Sequence, residues 1–110
     1  MRTTCEVTFD DPRVSGIATT SGNYDCHATA GCATWGTQEI VGPDGSWHGS
    51  FAGTIDTAFT ERAASVMTGT AGYEDLTLIL NAVGPLDEAP TAVGIIYEGS
   101  PPPFPEPLPE

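Results

Sequence analysis

Two histidines, three cysteines and fifteen carboxylates are the side chains with which this chain could do chemistry. His48 lies in Ser46-Trp47-His48-Gly49-Ser50. A general base needs a partner that orients it and a pocket to work in. No Ser or Asp stands at a spacing that fixes such a partner, so the sequence reads His48 as an exposed strand histidine. His27 follows Cys26, and neighbours on a strand point to opposite faces, so a Cys–His dyad would need a turn to join them. Zinc fits poorly too, because Cys26-x5-Cys32 has no second ligand pair. Asp10-Asp11, Glu74-Asp75 and Asp87-Glu88 lack the alternating oxygen ligands of a calcium loop and read as solvated loop charges. Nucleophile-elbow, phosphate-loop, zincin and dinucleotide fingerprints are all absent. The sequence therefore assigns no catalytic residue, no metal ligand and no cofactor.

Aromatic residues and thiols remain. Trp35, Trp47, Tyr73 and Tyr97 could line a barrel mouth and stack on a small hydrophobic ligand, and they serve equally well as core plugs. The cysteines suit a disulfide: Cys26–Cys32 or Cys5–Cys26 would each close a small loop and leave one thiol over. A disulfide leans towards an extracellular or cell-surface protein, although MRTTCEVTFD carries no hydrophobic signal region.

The elements that must position these residues are strands. From Trp47 onward, Trp47, Gly49, Phe51, Gly53 and Ile55 fall on one side, and His48, Ser50, Ala52, Thr54 and Asp56 on the other. That period of two marks a strand with one buried face. Before it, Gly42-Pro43-Asp44-Gly45 has the chemistry of a tight turn, so 34–57 is predicted to be a long hairpin. Further strands are predicted over 4–9, 14–20, 24–29 and 62–68, with Ser21-Gly22-Asn23 as a turn. Thr77–Val83 (TLILNAV) is almost continuously apolar and reads as a central strand buried on both sides, and Thr91–Tyr97 is the last strand. Tyr73-Glu74-Asp75-Leu76 suits one short helical turn. With many glycines and no clear helix, residues 1–99 are predicted to form an all-β domain. The preferred architecture is a small antiparallel β-barrel of seven to eight strands, with a β-sandwich as the alternative. Residues 100–110 (SPPPFPEPLPE) form a proline-rich C-terminal tail that cannot join a sheet.

Charge narrows the partners. Fifteen acids against three arginines and no lysine give a net charge of −12. Such a field repels nucleic acid and anionic membranes. No apolar run approaches the roughly 18 residues of a membrane-spanning helix.

Four blocks occur in order: Asp11-Pro12-Arg13-Val14-Ser15-Gly16, Trp35-Gly36-Thr37, Gly45-Ser46-Trp47-His48-Gly49-Ser50-Phe51-Ala52-Gly53, and Gly69-Thr70-Ala71-Gly72-Tyr73-Glu74-Asp75-Leu76. They resemble uncharacterised exported bacterial β-barrel proteins carrying DPRVSG, GxWxG and GTGAYEGL-type blocks. That group is distantly similar to the eight-stranded allene oxide cyclase and dirigent barrels. The resemblance spans about residues 5–99 and implies export and a barrel, but it transfers no catalytic residue. Ala71 and Asp75 stand where the pattern has glycine. The chain also starts where a further N-terminal strand is expected, which implies a barrel that is open or completed by another chain.

The expectation is thus a non-enzymatic exported module for binding or assembly, with a small hydrophobic ligand or a protein as partner. One rival is a barrel-cavity enzyme of cyclase or isomerase type acting on a small hydrophobic substrate. The other is a structural subunit, a homo-oligomer whose chains complete an open sheet edge.

Overall fold

The computed structural model describes residues 2–88 and 90–100, and the proline-rich segment 101–110 lies outside them. Seven strands follow one another: β1 (Arg2–Val7), β2 (Gly16–His27), β3 (Gly31–Val41), β4 (Gly45–Ile55), β5 (Thr60–Ala71), β6 (Leu76–Pro85) and β7 (Thr91–Glu98). Each pairs antiparallel with the next, giving one sheet in the order β1-β2-β3-β4-β5-β6-β7. Short loops make this meander the simplest solution, because consecutive strands pair without crossing. The sheet is open: β1 and β7 form its two edges and share no ladder. The described residues are therefore all-β, as predicted, with seven strands in one sheet that does not close into a barrel.

The predicted hairpin is present. Gly42–Asp44 join β3 to β4, the Gly42 N–H donates to the Gly45 carbonyl at 2.9 Å, and Val41 pairs with Ser46. One expectation fails nearby: Ser21-Gly22-Asn23 is no turn but the middle of β2, paired with Thr37, Gly36 and Trp35. This straight stretch packs closely under the Phe51 ring, where a Cβ on Gly22 would sit 3.0 Å from Phe51 Cζ. Two predicted strands thereby merge into one of twelve residues. The predicted helical turn at 73–76 is a tight turn between β5 and β6.

Register sorts the side chains. Ala18, Ile40 and Trp47 are successive partners on the inner face, as are Met67 and Leu78, and all five are buried. Two connections cap one end of this face. The β1–β2 loop brings in Val14 and half-buried Phe9, and its Arg13 carbonyl accepts the Trp47 indole N–H at 2.7 Å. The β5–β6 turn brings in Tyr73, whose ring stacks on Trp47 with centroids 5.1 Å apart. Gly49 then lets the sheet curl, because a Cβ there would collide with the Val66 carbonyl and Met67. Over that gap Gln38 bridges two strands. Its Nε2 donates to Thr20 Oγ1 at 3.3 Å, and its Oε1 accepts from Ser65 Oγ at 2.9 Å.

The two-sided burial predicted for TLILNAV holds only in part. Leu78 and Leu80 are buried inward and Thr77 outward, but on the outer face Ile79 is half-buried while Asn81 and Val83 are exposed. The reason is architectural: nothing among the described residues forms a second layer over that face.

Candidate functional site

All seven strands present an outer face, and it divides into a polar half and an apolar half. On the polar half, Glu39 and His48 are register partners across β3 and β4. Their Oε2 and Nδ1 atoms lie 3.0 Å apart. Ser46, two residues before His48 and so on the same face, places its Oγ 3.2 Å from His48 Nε2 and 2.8 Å from Thr70 Oγ1. A carboxylate, an imidazole and a hydroxyl thus stand in line, beside a shallow groove of about 390 Å³ that Arg2, Thr19 and Thr37 also line.

This is the arrangement that activates a nucleophile when a pocket surrounds it. Here the His48 and Glu39 side chains are 46% and 43% exposed, so water screens the pair. β4 is paired on both sides, which commits its amides to ladders rather than to a developing oxyanion. The group lies on the exposed β3–β4 surface. Sequence reading missed the pairing although the signal was there. A turn at 42–45 that pairs Val41 with Ser46 necessarily sets Glu39 opposite His48.

The apolar half covers β5 to β7. Val66, Ile79 and Ile95 form one row across the strands, and Trp35, Ala52, Ala64, Asn81 and Val93 form the next. Val93 is 68% exposed, Ile95 62% and Trp35 45%. A second shallow groove, of about 440 Å³, runs here along Ala52, Ala64, Asn81, Val83 and Thr91. The apolar surface continues to β7, whose far edge has no partner strand among the described residues.

The four aromatic candidates do not converge. Trp47 and Tyr73 are stacked and buried inside, so no ligand reaches their faces without unpacking the core. Trp35 lies exposed on the outer face, and half-buried Tyr97 lies at the other end of β7 with its hydroxyl unpaired. Of the thiols, Cys26 and Cys32 are register partners joined by a disulfide, and Cys5 is free and exposed on β1. That bond is compatible with an extracellular protein. His27 is exposed, with Nε2 3.7 Å from Asp25 Oδ2. Among the acidic pairs, Asp11 is held by Arg13 at 2.7 Å, and those hydrogen bonds lower its pKa below the ordinary carboxylate value. Among the described residues no three carboxylates, imidazoles or thiols gather as a metal site, and no helix is long and apolar enough to cross a membrane.

Comparisons with protein-family models, curated proteins and solved structures yield no match.

Proposed function

We propose that this chain is a non-enzymatic, exported module of β-barrel type that binds another protein through the outer face of β5, β6 and β7. One observation carries the reading: Val66, Ile79, Val83, Val93 and Ile95 cluster on the outer face of β5 to β7, around Asn81 and beside Arg62, and nothing among the described residues covers them. Isolated apolar residues on a surface are ordinary, but a contiguous patch running over three strands marks an interaction site. In this reading the open sheet is a barrel left unclosed between β1 and β7, as the resemblance to exported bacterial barrels implies. The disulfide supports the extracellular setting. Ile40, Trp47, Met67 and Leu78 fill the interior a small substrate would need, which favours binding over a cyclase or isomerase.

Panning a random peptide library against the immobilised full chain, and in parallel against its Val93→Glu/Ile95→Glu variant, tests the proposal. Clones retained by the parent and lost on the variant are expected. The same clones on both proteins would overturn it.

A further inference from the structure

We propose that the free edge of β7 takes up an extended strand of another protein, apolar in its centre and basic at both ends. This inference rests on the binding reading above and specifies its partner. Three features of the edge lead to it.

The first is what β7 lacks. Thr91 to Tyr97 contains no charge and no proline, whereas natural edge strands are guarded by such residues. β1, the other edge, is shorter and carries Arg2 and Glu6. Of the two edges among the described residues, β7 is the longer and the less guarded, and an open edge is a template whose unpaired amides and carbonyls bind a new strand.

Shape comes second. A strand laid on β7 continues both faces of the sheet. Its outward residues lie beside exposed Val93 and Ile95, and its inward residues lie beside Ala92, Gly94 and half-buried Ile96. Eight residues of β7 span roughly 26 Å, so the incoming segment is of similar length.

Charge comes third and selects the occupant. Asp87 and Glu88 precede β7, Glu98 closes it, and Glu74 and Asp75 stand beside Glu98 at the start of β6. A second copy paired antiparallel about Gly94 and Ile95 would set each Glu98 opposite Thr91, close to the other copy's Asp87 and Glu88. Like charges would then meet at both ends, between chains that each carry −12. Lysine or arginine at both ends of the incoming strand turns that repulsion into attraction.

The test uses the full chain and a synthetic probe of eight alternating valines and threonines with two lysines at each end, followed by fluorescence anisotropy. The lysine probe is expected to bind roughly tenfold or more tightly than a glutamate-flanked counterpart at low salt, and the gap should narrow in high salt. Two further probes carry N-methyl groups on every second amide, one in each phase. The version that blocks the edge-facing donors is expected to lose binding. Equal binding by both methylated probes would overturn strand addition. Equal binding by the glutamate probe, or a stable dimer of the chain alone that excludes the lysine probe, would overturn the choice of partner. If no strand probe binds while panning still yields clones that depend on Val93 and Ile95, this inference falls and the binding reading stands. If panning fails as well, both fall.

Discussion

Ala71 and Asp75 hold φ values of +54° and +68°, in the left-handed region where a side chain is strained. These are the two positions at which the chain departs from the glycines of the GTGAYEGL-type block. The β5–β6 turn must reverse within four residues while pressing Tyr73 onto Trp47, and that demand fixes the backbone whatever residue stands there. Replacing either with glycine should therefore stabilise the fold, by on the order of 0.5–1 kcal/mol for Ala71→Gly and less for Asp75→Gly, since Asp tolerates this region better. Urea unfolding reads the effect as a higher midpoint with an unchanged slope. A lower midpoint for Ala71→Gly would mean that the turn gains more from a stiff unfolded chain than it loses in strain. Sequence alone flagged both positions as departures; only the dihedral angles say what they cost.

At the scale of elements, the β2–β3 hairpin is fastened at its tip. Cys26 pairs with Cys32 one step before the end of the ladder, so the bond holds a register already set by Ala18–Ile40 and its neighbours. Closing so small a loop contributes about 2 kcal/mol by restricting the unfolded chain. Reducing it, or replacing both cysteines with serine, should lower stability by about that amount, read by chemical denaturation. Cys5→Ser should leave stability nearly unchanged, because Cys5 is exposed on an edge strand. A cost confined to Cys5→Ser would contradict this assignment. The sequence offered Cys26–Cys32 and Cys5–Cys26 as equals. Choosing between them required knowing that β2 runs unbroken through Gly22 and so sets Cys26 opposite Cys32, a register decided by its pairing with β3.

For the whole molecule, net charge and surface patterning act together. With −12 on a chain of 110 residues and no lysine to offset it, self-repulsion opposes the folded state. Monovalent salt should therefore raise the Tm between low and physiological ionic strength, as the Debye length shrinks from roughly 30 Å to 8 Å. A thermal scan that showed the Tm falling with salt would point instead to a net attraction among the surface charges, with Asp11–Arg13 and Glu39–His48 as the pairs to examine.

The sequence by itself determined that the chain is all-β, where the long hairpin turns, and which face of β4 is buried. Those properties are local: a period of two, a Gly-Pro-Asp-Gly turn and an apolar–glycine alternation depend only on neighbouring residues. It also implied the Glu39–His48 pairing, since one turn sets every partner along a hairpin. The tertiary structure decided what lies far apart in the chain. It showed that Ser21-Gly22-Asn23 runs straight, that Trp47 and Tyr73 plug the interior rather than line a mouth, and that the outer side of β6 and β7 stays uncovered. An apolar residue has the same transfer free energy on either face of a strand, so its sequence records a preference for burial without recording what buries it. For β6 and β7 only the inner half of that preference is satisfied within the described residues, because no second layer packs against the outer face.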